Sequence, residues 1–299
     1  MLLKQTRSAG EGLERLCRPS GRDWIASAGP VDGVELFRAS FVAEAYRKHR
    51  HDTYAVGLTD TGVQVFDYRG AGRVSLPGQV AVLYPDEAHD GRAGTAAGFG
   101  YRIVYVEPAR LADALRVICG RPYPLPFLRD PVTTNARLAR AIREAFSAPL
   151  EPLAVDNLVV ELAEGLLAGV RAGGVPVASR HVDTRAVERA RRLLDAQRTR
   201  TVRSAELEAV TGLTRYDLAR QFRIALGTSP HRYQVMRRLE HAREAIHHAR
   251  PLAAAASEAG FADQAHFTRA FTAAFGLTPG RYRALRGRLA EGRFSTVFP

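Results

Sequence analysis

The side chains best suited to chemistry in the first 175 residues are three histidines: His49 and His51 in "YRKHRHDTY", and His89 in "LYPDEAHDG". A His-x-His pair on a strand projects both imidazoles from one face, as two metal ligands or two groups gripping a polar small molecule require. Three histidines alone can hold zinc or iron. Asp86 and Glu87 precede His89, but without a nucleophile they do not make a catalytic site.

A second kind of chemistry is carried by arginine. The 299 residues hold 43 Lys+Arg against 31 Asp+Glu, a net charge of +12. Residues 1–175 carry 21 basic and 20 acidic groups, whereas residues 176–299 carry 22 basic groups, all Arg, and 11 acidic ones. An excess confined to one end of the chain points to a polyanion partner for that end. Hydrophobic residues at 46% and charged residues at 25% suit a globular chain and exclude disorder as the main state. Two cysteines, Cys17 and Cys119, are too few for a disulfide framework. The most apolar stretch, 153–170, is broken by Asp156, Glu161 and Glu164, so no membrane span is expected, and the first residues lack a secretory signal. The expected location is cytoplasmic.

The arginine-rich end must position its cations on helices. "TRAVERARRLLDAQ" (184–197) has one apolar face, and short helical units follow, closed by Gly212, Gly227, Gly260 and Gly276. At an offset of 49, Leu218 matches Phe267, Arg220 matches Arg269, Phe222 matches Phe271, Gly227 matches Gly276, Pro230 matches Pro279 and Tyr233 matches Tyr282. Each copy is a short helix, a Gly turn and a longer helix, the helix-turn-helix pattern. Thr214 with Asp217, and Asp263, are placed to cap the longer helices, and Leu218, Phe222, Phe267 and Phe271 to face a core. The outer faces then carry Thr214, Arg215, Tyr216, Ala219, Arg220 and Arg223 in the first unit, and Gln264, Ala265, His266, Thr268 and Arg269 in the second. Arg, Gln and His read base edges in the major groove, Tyr and small residues meet thymine methyls, and helix N-termini bind phosphate. His247–His248 suggests metal only weakly, since adjacent helical residues diverge, and is read as surface close to a loop.

The first half must position the histidines on strands. "GVELFRASF", "TYAVGLTD", "GVQVFDYRG", "GRVSLPG", "QVAVLYP" and "GYRIVYVE" are short alternating segments at the spacing of a sandwich or barrel. Beyond Pro108 three helices follow, within 109–119, 134–146 and 153–170. In the last, Val155, Leu158, Val159, Leu162 and Leu166 form a broad apolar face, read as a homodimer interface.

The segment from about 181 to 290 resembles the DNA-binding domain of AraC/XylS-type transcription regulators. The likeness is carried by "LARQFRIALGTSPHRYQVMRRLEHAREAI" and "AAASEAGFADQAHFTRAFTAAFGLTPGRYRA". It implies two helix-turn-helix units joined by a long helix, about 229–248, with Tyr233, Met236, Leu239, Ala242 and Ile246 as its apolar face. "YRKHRHDTYAVGLTDTG" and "LPGQVAVLYPDEAHDG" resemble the two halves of a cupin barrel. The carboxylate that metal cupins carry beyond the first His pair is absent from Tyr54-Ala55-Val56-Gly57. The resemblance thus implies an incomplete metal set and a small effector bound without metal, as is common in such regulators. The resulting expectation is an α+β chain: a cupin-like barrel with helices at 1–171, a linker at 172–180 and an all-α DNA-binding domain at 181–299. Its partners are promoter DNA, a small effector, RNA polymerase and a second copy. The effector-site candidates are Arg38, His49, His51, Tyr54, Gln64, His89 and Arg102, with no cofactor. The competing class is a metal-dependent cupin enzyme carrying a DNA-binding appendage, resting on the three histidines.

Overall fold

The structure, a computed structural model, describes residues 23–147, 149–173 and 182–287. Ten strands come first: β1 (Trp24–Val31), β2 (Val34–Phe41), β3 (Glu44–His49), β4 (Tyr54–Gly62), β5 (Gln64–Tyr68), β6 (Ala71–Ser75), β7 (Val80–Leu83), β8 (His89–Ala93), β9 (Phe99–Val106) and β10 (Val132–Thr133). They form a six-stranded sheet in the order β1-β2-β9-β4-β7-β10 and a four-stranded sheet in the order β3-β8-β5-β6. The period-2 alternation read from the sequence decides which side each residue serves. Phe37, Ala39, Phe41, Ala55, Tyr101 and Ile103 turn into the space between the sheets, and Val34, Leu36, Tyr54, Val56, Val104 and Val106 turn outward. That outer face is covered by α1 (Pro108–Cys119), α2 (Ala136–Ala145) and α3 (Pro152–Ala172) through Leu111, Leu115, Leu138, Ile142 and Leu162.

All six expected strands and all three expected helices are present, whereas β1, β3, β8 and β10 were not foreseen. Their sequences explain why: β3 (EAYRKH) and β8 (HDGRA) are polar, and β1 contains Gly29 and Pro30. The β1–β2 hairpin turns on Asp32-Gly33, both at positive φ (46° and 75°), as a two-residue turn of this hand requires.

The second half is helical: α4 (Thr184–Ala196), α5 (Ser204–Thr211), α6 (Arg215–Leu226), α7 (Pro230–His247), α8 (Leu252–Glu258), α9 (Gln264–Phe275) and α10 (Pro279–Gly287). The two repeat copies are α5-turn-α6 and α8-turn-α9, joined by α7. Thr214 accepts a bond from the backbone N–H of Asp217 and Asp263 one from that of His266, so both expected caps are made. Leu218, Phe222, Phe267 and Phe271 are all buried. Of the expected linker at 172–180, residues 174–180 lie outside the described part, as do residues 1–22, which include Cys17, and residues 288–299.

The two halves share a core. The interior of the barrel is continuous with the α7–α10 cluster: Phe37, Phe41 and Tyr101 belong to one buried set with Met236, Leu239, Phe267, Phe271 and Tyr282. The edge strand β3 is also spoken for. The backbone N–H of Arg47 donates to the Gly276 carbonyl at 3.0 Å and that of Arg50 to the Ala273 carbonyl at 3.1 Å. An unpaired strand edge and the carbonyls at the end of α9, which lack helical partners, thus satisfy each other.

Candidate effector cavity and nucleic-acid interface

Between the mouth of the barrel and α7 lies a cavity of about 340 Å³. The barrel contributes Glu35 and Phe37 from β2, His49 from β3, His51 and Asp52 from the β3–β4 connection, and Tyr105 from β9. From α7 come Met236, Arg237, Glu240 and Arg243, which fall on one face because helical neighbours three and four apart align. Arg237 lies 2.7 Å from Glu107, 3.0 Å from Asp52 and 3.0 Å from Glu240, and Arg243 lies 2.6 Å from Glu35. Both guanidiniums are buried, so each pair is strong only because the partner carboxylates are present. Outside the cavity wall, Arg232 of α7 is 2.6 Å from Asp86 of the β7–β8 connection.

The histidines are neutral. Burial, reinforced by the neighbouring imidazoles, pushes His49 and His51 well below the ordinary histidine range, and burial brings His89 down to about 4. Each Nδ1 lies within 3.0 Å of a backbone carbonyl: Arg47 for His49, Thr53 for His51 and Glu87 for His89. A carbonyl only accepts, so each Nδ1 carries the proton and each Nε2 presents a lone pair. The ring centres of His49 and His89 are 4.3 Å apart and those of His51 and His89 4.9 Å. Even so, no group of three or more His, Cys, Asp or Glu among the described residues is arranged to hold a metal ion.

The expected effector residues divide. His49 and His51 line the cavity, and His89 stands behind them as the register partner of His49. The others do not line it. Tyr54 points outward into the helical layer, where its hydroxyl donates to the Pro126 carbonyl at 2.8 Å. Arg38 and Arg102 are register partners on the same outward side, alternating with the inward Phe37 and Ile103; Arg102 Nε donates to Asp60 at 2.9 Å. Gln64 accepts a bond from Thr59 away from the cavity. Inward and outward registers differ by one residue, which sequence alternation alone did not resolve for these polar side chains. The residues missed were Glu35, Asp52, Glu107, Arg237, Glu240 and Arg243. The i, i+3, i+6 charge pattern on α7 was a signal, though only packing against the barrel gives it meaning.

The face of α3 assigned to a dimer needs correction. Val155, Leu162 and Leu166 are fully buried, and Leu158 and Val159 nearly so, against the protein's own sheet and helices. The outer side of the helix carries Leu153 and Val160 instead. Of the His247–His248 pair, His248 is exposed as expected, whereas His247 is half-buried: its ring stacks on Tyr282, with Nε2 2.8 Å from the hydroxyl, and burial lowers its pKa to about 3.

On the two recognition helices, Thr214, Arg215, Tyr216, Arg220, Arg223, Gln264, Ala265, His266 and Arg269 are exposed, and Ala219 and Thr268 are half-buried. Tyr216 keeps 80% of its surface exposed, unusual for a tyrosine that has only solvent to face. Arg220 lies 3.8 Å from Asp217, and Arg215 lies 3.5 Å from Glu208. Among the described residues no helix is long and apolar enough to cross a membrane.

Paired helix-turn-helix units docked on a ligand-cavity barrel define a ligand-binding DNA-binding regulator. Residues 33–163 match the AraC-like ligand binding domain and residues 207–285 a helix-turn-helix domain. The chain belongs to the AraC family of transcription regulators. It is 24% identical to YbfI of Bacillus subtilis (strain 168), an uncharacterized HTH-type transcriptional regulator, over 78% of this chain and 85% of that protein. Among solved structures, ToxT from Vibrio cholerae superposes with a TM-score of 0.61 at 12% identity, covering 88% of this chain and 99% of that one. A second ToxT structure, with an unsaturated fatty acid bound, gives a TM-score of 0.60 at 13% identity over 92% of this chain and all of that one. At that identity the likeness is one of fold.

Proposed function

We propose that this protein is a sequence-specific transcription regulator whose DNA binding is set by a small effector in the cavity between the barrel and α7. The observation that carries the proposal is that both domains wall one cavity, Glu35, His51 and Asp52 from one side and Arg237, Glu240 and Arg243 from the other. A ligand there contacts both domains when they are docked and loses half its contacts when they part, so it has the differential affinity that shifts a conformational equilibrium. The bound small molecule in a protein of the same fold supports the same reading. Arg220, Arg223, Gln264, His266 and Arg269 read base edges and phosphate, while Thr214, Arg215, Tyr216, Ala219, Ala265 and Thr268 complete the contact face. His49 and His51 act as cavity wall, with His89 behind them, and not as catalysts. A homodimer, contact with RNA polymerase and a cytoplasmic location belong to this reading and rest on the family. Metabolites that raise the melting temperature should be added to a DNA-binding titration at several salt concentrations. Affinity unchanged by every stabilising ligand, or equal for all sequences, defeats the proposal.

A further inference from the structure

The wall of the inter-domain cavity has an unbalanced charge. It contains seven carboxylates, those of Asp32, Glu35, Asp52, Glu107, Asp195, Glu240 and Glu244, and only four guanidiniums, those of Arg191, Arg198, Arg237 and Arg243. Along α7, four carboxylates, Asp52 and Glu35 buried and Glu107 and Glu240 half-buried, share two buried guanidiniums: Arg237 serves Asp52, Glu107 and Glu240, and Arg243 serves Glu35. Both cations are therefore committed, and carboxylates outnumber guanidiniums where water is scarce.

Two buried atoms independently ask for a donor. Asp52 is 2% exposed and His51 5%, both line the cavity, and neither Asp52 Oδ1 nor His51 Nε2 has a hydrogen-bond partner. Because His51 Nδ1 donates to the Thr53 carbonyl, Nε2 is an acceptor, as is the Asp52 oxygen. Unsatisfied buried acceptors are costly and mark places where something else is meant to donate. The unpartnered donor nearby, Nε of Arg237, belongs to a guanidinium lying 4.7 Å over the Tyr233 ring.

We infer that the effector is an organic cation, an amine or amidine whose N–H donors meet Asp52 and His51 and whose charge offsets the acidic wall of the cavity. This rests on the effector reading above and names its chemical class. The wall already takes the smallest cation: burial, with Asp52 and Glu107 beside it and against the pull of Arg237 and Arg243, raises Glu240 to about 7. Phe37, Tyr105 and Phe275 line the same cavity and supply aromatic surface for the carbon body of such a cation, the Phe275 ring already carrying the Arg243 guanidinium at 5.2 Å. A carboxylate would bring acceptors to acceptors and add to the excess.

The test uses the full chain without DNA, at pH 7.5, by thermal shift and calorimetry. The probes are octylamine, phenethylamine and spermidine against octanoate and phenylacetate. At least one amine should raise the melting temperature with saturable binding while the matched acid does not. Glu240→Gln, at a partly exposed helical position, should keep cooperative unfolding and weaken the amine at least about tenfold; Asp52→Asn should do the same. If the acids bind and the amines do not, the cation assignment is overturned while the cavity stands as an effector site. If amine binding is indifferent to both variants, or neither class binds, the assignment is overturned as well. DNA titration of the same samples then tells whether ligand control falls with it.

Discussion

Arg243 of α7 and Glu35 of β2, 208 residues apart in the chain, meet at 2.6 Å inside the protein with both side chains buried. Ser27 donates a second bond to the same carboxylate. Neither residue has a local reason to be there; each is tolerated in the core because the other domain supplies its counter-charge.

Removing one partner should therefore be far worse than removing both. Arg243→Met leaves a buried carboxylate and should cost about 3–5 kcal/mol in urea denaturation, whereas Arg243→Met with Glu35→Gln should recover much of it. Additive losses would mean that the pair is not formed in solution.

Gly276 tests the same contact through the backbone. Gly212 and Gly276 both close helices at positive φ, 72° and 69°. A Cβ on Gly212 meets open space, but on Gly276 it comes within 2.8 Å of the Arg47 carbonyl and His49 Nδ1. Alanine at either site carries the left-handed penalty of about 1–2 kcal/mol. Gly276→Ala should cost clearly more, and the excess in the melting curves measures the docking of the helix-turn-helix unit on the barrel.

Glu240 links stability to pH. Its carboxyl stands at about 7 in the fold against an ordinary 4.5, so the folded protein holds a proton that the unfolded chain releases between those values. The stability it lends is complete below pH 4.5 and is lost as pH rises through 7. The difference between Glu240→Gln and the parent protein should thus grow by about 2–3 kcal/mol across that window, discounted for partial exposure. The lowered histidines act in the opposite sense, losing stability as pH falls below 6.5, and cancel in the difference.

Arg269→Ala should leave the melting temperature unchanged, since the side chain is exposed, and cost about 1–3 kcal/mol of specific DNA affinity. A parallel fall in stability would move Arg269 from base reader to structural residue.

Leu162→Glu should unfold the barrel domain and not dissociate a dimer, because Leu162 is fully buried. Val160→Glu, on the outer side of the same helix and 41% exposed, should fold normally. Sedimentation of that variant reports whether this side of α3 joins two copies.

The helix-turn-helix half was nearly all legible in the sequence, because its determinants are local. Caps at Thr214 and Asp263, glycines at helix ends and apolar residues four apart fix each unit within a dozen positions, and the offset-49 repeat shows the pattern twice. The strands with clean alternation were legible for the same reason, while β3 and β8, polar and held by neighbours, were not. What only the tertiary structure decided is the encounter of the halves. Whether Arg38 faces in or out, whether Leu162 meets a second copy or its own sheet, and whether Arg243 finds solvent or Glu35 all depend on contacts between residues far apart in the chain. Sequence spacing carries the period of a helix or strand; it does not carry the position of what packs against it.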